Sequence, residues 1–582
     1  MKYNLRLFGF WMMLSYSLLG FAQEQEKDDL GTQEVTVVKS YSPSLKNVFK
    51  IRSNPSIDDS LVQKKQKVNY SFEPIPVLST FIPNKASPLK LQRQERSIYQ
   101  NAYISAGFGN QSHPQLGFSS MVPLDRTQSI GLKFLYSSVA GIEGTILNSQ
   151  QNRTTLDLMH QYKKNNMRVD SDLRFDRQGH NFFGIDDISN IPTFRSEAVD
   201  PSQNLNYLSI RSRWQWYDGI FNGVNFDTHV TTDSYDSSEY IVKINSLINI
   251  PIWDLFIEII PKLEWVNTSF VRGYFNQEAV ESKKGLSQIE MRFSSDGRKL
   301  KFKLGAGGYY PLGTLEEPAQ FYIYPKADIS YTSNNGKWIP FLKYEGSYDL
   351  NSFTSFSLEN PYVAPTLQIQ STELNHRGVL GFKAHAGSGL SFSFETSYSQ
   401  SDNFPLFRRL PYDDNNQDMG YRLGNTYQVI YDRMEKMGMM TRIDLRFSEY
   451  NKLSLQTGFY EYKREGGEKV WNLPSLTIDL DANFRLGKKL YFQMGGHYIG
   501  ERDSVKNILV LQGGSQADFD TVESLSALFS IASSITWKIS SQWDLFYENN
   551  MMLGDQTSRW AYYQNQSQLH LGGVRYKFDI SL

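Results

Sequence analysis

The sequence predicts an all-β chain: a transmembrane, antiparallel, up-and-down β-barrel of about 22 strands, with short periplasmic turns and long extracellular loops. Three observations lead there. Apolar and polar residues alternate with period two over long stretches. Those stretches come in pairs joined by short polar turns, with longer polar segments between the pairs. Aromatic residues are plentiful, 35 Tyr, 37 Phe and 10 Trp, yet the mean hydropathy is −0.46, as a sheet with one apolar and one polar face requires. A helical membrane protein would need uninterrupted apolar runs of about 18 residues, and the sequence has none.

Residues 1–22 read as an export signal. Lys2 and Arg6 make a positive start, Leu7 to Leu19 is mostly apolar and too short to span a bilayer, and Gly20-Phe21-Ala22 sets small residues at −3 and −1. Cleavage is expected after Ala22. Residues 23–100 follow as a lead segment. Pro43, Pro55, Pro74, Pro76, Pro83 and Pro88 fall here, a density that interrupts both helix and ladder hydrogen bonds. An extended periplasmic or lumenal segment is the expectation.

Residues 101–582 are the barrel. Met437–Phe447 sets Met437, Met439, Ile443, Leu445 and Phe447 against Arg442, Asp444 and Arg446. Leu476–Arg485 sets Leu476, Ile478, Leu480 and Phe484 against Asp479, Asp481 and Arg485. A helix would scatter each set round its circumference, whereas a strand puts each on one face. Runs of about 10 to 14 residues exceed soluble strands and suit tilted membrane strands. That length favours the barrel over an exported array of soluble β-sandwiches. Ten short turns are read, at Pro123–Thr127, Lys163–Asn166, Tyr217–Ile220, Asn249–Asp254, Ser294–Arg298, Ser333–Lys337, Gly387–Gly389, Ser448–Lys452, Leu486–Lys488 and Lys538–Gln542. Ten hairpins, with a lone first run at Ala102–Phe108 and a last at Leu569–Leu582, give 22 strands. Long loops are expected at Arg177–Asn204, Asn351–Glu373, Gln400–Asn425 and Gly500–Val522. Pro261 is a blemish, because it removes one ladder hydrogen bond.

Mid-strand charges on one face suit a wet lumen, so Arg442, Asp444, Arg446, Asp479, Asp481 and Arg485 are the expected lumen-lining residues. Trp216, Trp253, Trp338, Trp537 and Trp543 all sit beside short turns, as an aromatic girdle at headgroup level would. A barrel this wide would leak if empty, so the lead segment, the longer loops or a partner is expected to fill it.

A signal peptide, a lead segment and about 22 strands together resemble the TonB-dependent outer-membrane receptor family of Gram-negative bacteria, over the barrel and at the level of architecture. The resemblance implies an outer-membrane location, lipid around the barrel, and binding or transport of a solute at the cell surface. It also implies an energy-coupling box, for which Thr36, Val37 and Val38 are the match, and a periplasmic energy-coupling partner. Family members carry a folded plug of well over a hundred residues, whereas 23–100 supplies only 78. The chain therefore resembles a plugless or reduced relative. A second function fits that loss: a non-transporting scaffold subunit of an outer-membrane complex, its lead segment docking a periplasmic or lipoprotein partner.

Other chemistry finds little support. Lys and Arg number 60 against 61 Asp and Glu, so no global basic charge points to nucleic acid. Cysteine is absent, which removes thiol nucleophiles, thiolate metal sites and lipoprotein acylation. The eight histidines are scattered without metal-ligand spacing, so no metal, cofactor or catalytic residue is expected. Whether a serine and a histidine meet in space is left open by sequence alone.

Overall fold

Alternation of apolar and polar residues makes two-faced strands, and two-faced strands in lipid must close on themselves. The computed structural model describes residues 100–185, 200–312, 320–387, 389–412, 419–467, 469–512, 515–554 and 558–581. The expected signal peptide, the lead segment up to residue 99, and Thr36, Val37 and Val38 within it lie outside the described residues. In the rest, 22 antiparallel strands run from Ala102–Gly109 to Gln568–Phe578 and form one closed barrel. First and last strands pair along their length, from Ala102 opposite Phe578 to Gly109 opposite Leu571. No strand edge of the ring is left to pair with another chain.

Each of the ten turns read from the sequence separates two strands. Ser202–Trp216 and Phe221–Thr232 flank one, and Leu476–Leu486 and Leu490–Ile499 flank another. The turn residues explain why the chain reverses there. Gly219 and Gly336 adopt φ of +86° and +67°, which Asp-Gly and Asn-Gly turns need and a Cβ would oppose. Asp125 accepts from the Thr127 hydroxyl (2.7 Å) and from the Thr127 and Gln128 amides (2.6 and 2.9 Å). The hydroxyl bond above all holds its carboxyl below the ordinary range.

Two expectations need correction. Many strands have 10 to 14 residues, but some run longer: Leu390–Arg409 and Tyr427–Arg446 have 20 each. At about 3.3 Å per residue they project well past a bilayer's apolar layer. They therefore absorb much of the loop expected at Gln400–Asn425. The loop expected at Gly500–Val522 is largely a hairpin, Arg502–Gln512 paired with Ser515–Leu525, that stands outside the ring. Outside lipid, backbone groups still need partners, and a hairpin supplies them. Pro261 behaves as expected. Opposite it the ladder between Ser238–Ile252 and Leu255–Phe270 skips the pairs between Asn245–Lys262 and Ile248–Ile259.

The two faces differ sharply. Ile104, Phe108, Leu116, Ile210, Leu342, Met437, Phe459 and Val574 are exposed on one face of the sheet. In water this apolar band would cost about 25 cal/mol per Å², so its solvent is lipid. The other face is concave. There Lys303 reaches Glu258 (2.9 Å) and Lys326 reaches Glu290 (2.7 Å), each stepping over one intervening strand. Side chains converge in this way only on the inside of a curved wall.

Candidate functional site

Two features of the interior could act on a solute: a charged inner wall and a lid of loops. The wall is built by alternation. Glu258, Lys262 and Glu264 point inward from Leu255–Phe270, and Glu290 and Arg292 from Val280–Asp296. Glu290 is the hub, with its side chain 1% exposed. It takes Lys262 (3.0 Å), Lys326 (2.7 Å) and Arg292. Lys243 pairs with Glu264 (2.7 Å), so a ladder of alternating sign climbs this sector. A second sector holds Arg153–Asp176 and Arg211–Asp172 (2.5 and 2.9 Å). Arg153, Asp172, Asp176 and Arg211 carry the same mid-strand charge signal in the sequence as Arg442.

The expected lumen residues divide into two groups. Arg442 binds Asp444 (3.0 Å), and Asp444 also accepts from Ser454 (2.7 Å). Asp479 and Asp481 stand two strands away, opposite Gln456 and Ser454, so these four form one patch. Arg446 and Arg485 lie at the turn end instead. Arg446 is opposite Lys452, and Arg485 stacks over Tyr450 at 4.5 Å with its Nε donating to the Gly487 carbonyl (3.1 Å).

The five tryptophans sit where strands meet turns. Trp216 packs on Trp214 and Phe221, Trp338 on Phe382, and Trp543 on Tyr576. Trp537 is half exposed on the apolar face. Trp253 is 96% exposed at φ +54°, an unusual backbone for a bulky residue. Turn strain that presents an indole to the outside calls for something outside to receive it.

At the end opposite the turns, loops meet across the barrel. The strand Met167–Asn181 is fifth in the ring and Leu390–Arg409 fifteenth, nearly opposite. Yet Arg409 donates to the Gly184 carbonyl (2.9 Å) and Asn425 to the Phe182 carbonyl (2.5 Å). Tyr274 donates to the Pro411 carbonyl and Arg422 to the Gly273 carbonyl (2.8 and 2.6 Å). Phe182, Phe353, Phe356, Tyr362, Phe407, Tyr427, Trp560 and Tyr563 form the buried centre of this lid. Tyr362 and Tyr563 stack at 3.4 Å, and Tyr563 donates to the Asn425 carbonyl. Burial raises both phenols well above their ordinary range. A short helix, α1 (Phe353–Glu359), is capped by Ser352 and lies in this centre. The loops thus cover the barrel at this end, a contribution that no periodic pattern in the sequence marks.

Beneath the lid is a cavity of about 540 Å³. Its wall includes Asp479, Asp481, Gly495, His497, Ser530 and Asn550, and its roof Ile142, Ser149 and Gln564 to Gln566. Among the described residues, no lysine or arginine lines it. Asp479 Oδ1 lies 2.5 Å from His497 Nδ1.

No protein-family model matches the chain, and no curated protein matches it. Solved structures match in fold. The pyoverdine outer membrane receptor FpvA from Pseudomonas aeruginosa PAO1, bound to pyoverdine, aligns with TM-score 0.58 at 10% identity, over 82% of this chain and 79% of its own. The closed form of the ferric-catecholate import receptor Fiu from E. coli K12 aligns with TM-score 0.57 at 10% identity, over 82% of both chains. The FrpB iron transporter from Neisseria meningitidis gives 0.59 at 8% identity, over 83% of this chain and 82% of its own. At these identities the likeness is one of fold: a 22-strand barrel like those of the TonB-dependent receptors.

Proposed function

We propose that the chain is an outer-membrane barrel of a Gram-negative bacterium that binds or carries a solute at the cell surface, with the lead segment meeting a periplasmic partner. The observation that carries the reading is the closed 22-strand ring with an apolar outer band and a charged, lidded interior. Such a ring has no stable place in water. The five tryptophans serve as the turn-side girdle, and Arg442, Asp444, Asp479 and Asp481 face the solute path. The structural neighbours are named for ferric chelates and an iron transporter. Among the described residues the cavity carries carboxylates and no lysine or arginine, so a neutral or cationic solute suits it better than an anionic ferric catecholate.

A second reading is a scaffold subunit, and one observation favours it: the lid joins opposite walls through buried, hydrogen-bonded loops. Purification in mild detergent followed by bilayer recording separates the two. Ion currents or a co-purified solute support transport. A stoichiometric protein partner with no current supports the scaffold. Recovery of the chain in the soluble fraction after ultracentrifugation without detergent would overturn both.

A further inference from the structure

An aspartate, a histidine and a serine stand in one row across three neighbouring strands. Asp479 is in register with His497, and His497 with Ser530 of the strand Leu528–Lys538. All three line the cavity beneath the lid. The 2.5 Å bond from Asp479 Oδ1 to His497 Nδ1 fixes the ring from one side. It places the proton on Nδ1 and leaves Nε2 as the basic nitrogen, on the ring edge away from Asp479. Ser530 Oγ donates a long bond (3.4 Å) to the His497 carbonyl. To reach the imidazole, Ser530 Oγ has to give up that weak contact.

The surroundings leave room for a substrate. Gly495 precedes His497 by two residues on the same face, and a methyl group there would meet only Asp481 Oδ1, 3.9 Å away. Val139, Ile142 and Leu569 offer an apolar wall for an acyl chain. Asn550 lies one inward position from Met552, the register partner of Ser530, and lines the same cavity. Its side-chain amide is a lining group able to donate to a developing oxyanion.

We propose that Asp479, His497 and Ser530 form a hydrolytic triad acting on a carboxylic ester held in the lumen. Ser530 Oγ attacks the carbonyl carbon while His497 Nε2 takes the hydroxyl proton. The bond to the leaving alcohol breaks, and His497 returns the proton to that oxygen. Water then attacks the acyl-serine, giving its proton to His497, and the Oγ–carbon bond breaks as Ser530 is reprotonated. The balance is ester plus water to carboxylic acid plus alcohol. Recognition of a triad rests on such roles and geometry, and in an unliganded site the serine contact is often loose.

The test uses the full chain in mild detergent, with barrel integrity of every variant checked by heat-modifiable migration. A fluorophosphonate probe should label Ser530, read by peptide mass spectrometry, and p-nitrophenyl butyrate should be hydrolysed. Ser530→Ala and His497→Ala should each lower that hydrolysis at least 100-fold, and Asp479→Asn at least tenfold, in barrels that still migrate as folded. A folded wild-type barrel that leaves Ser530 unlabelled, or hydrolysis that survives Ser530→Ala, overturns the proposal. Neither outcome bears on whether the barrel conducts or carries a solute.

Discussion

Glu239 on the barrel wall holds Thr354 of α1 by two bonds at once. Its Oε2 accepts from the Thr354 amide (2.8 Å) and from the Thr354 hydroxyl (2.6 Å), while Oε1 takes the Phe353 amide (2.7 Å) and the Thr268 hydroxyl (2.6 Å). Glu239 is 0% exposed, so a carboxylate from one strand closes the N-terminal turn of a helix that belongs to the lid. Replacing Glu239 by Ala leaves two amides and two hydroxyls without their acceptor, at about 1–3 kcal/mol for each buried group. Hydrogen exchange should rise across residues 351–371 while the ring stays folded. Unchanged exchange there would mean that the helix does not depend on the wall.

Glu290 concentrates the inner ladder, and its loss should be felt by all three of its cations. Glu290→Ala strands Lys262, Lys326 and Arg292 around a buried point, and breaking a buried pair typically costs about 3–5 kcal/mol. The temperature at which heat-modifiable migration is lost should fall. The double variant Glu290→Met with Lys326→Met should recover much of that loss, since an apolar pair does not carry the desolvation penalty. A double variant weaker than the single one would count against the hub.

The lid should loosen as pH rises. Burial lifts the Asp233 carboxyl above its ordinary range against bonds from the Ser237, Tyr235 and Gln203 N–H groups. Its pKa is higher in the packed lid than in an open one. In the window between the open and packed values the packed lid binds more protons, so its stability falls as pH rises and is greatest below that window. Exchange at residues 233–237, corrected for the intrinsic rate, should therefore be slower near pH 4 than near pH 7. Asp233→Asn should flatten the trend at 233–237. Slower exchange at pH 7 would reverse the sign.

Tyr563 ties the lid's centre through the Tyr362 stack and its bond to Asn425. Truncating a buried aromatic to Ala costs about 3–5 kcal/mol and leaves a void. Tyr563→Ala should raise single-channel conductance of the reconstituted barrel several-fold. Equal conductance in wild type and variant would show that the lumen is blocked elsewhere.

Brominated lipids should quench the turn-side tryptophans. Trp338, Trp537 and Trp543 are half exposed next to turns, so bromine near the headgroups should quench them more than bromine at mid-bilayer. The reverse depth order would remove them from the girdle.

Sequence by itself determined the ring. Period two fixes which residues share a face, and turn residues such as Asp218-Gly219 and Asn335-Gly336 fix where the chain reverses. Both are local signals, so the count of 22 followed from the chain one stretch at a time. The same alternation sets Arg442 and Asp444 on one face and Ile443 and Leu445 on the other. Tertiary structure alone decided what those faces do. Arg409 and Gly184 are far apart in sequence and meet because curvature brings opposite rims within reach. Asp479, His497 and Ser530 fall into one row because three strands settle in one register, with the Arg502–Gln512 hairpin standing outside the ring between the second and third. Alternation says which way a side chain points. Only closure of the sheet, which couples register and curvature round the whole ring, says what it points at.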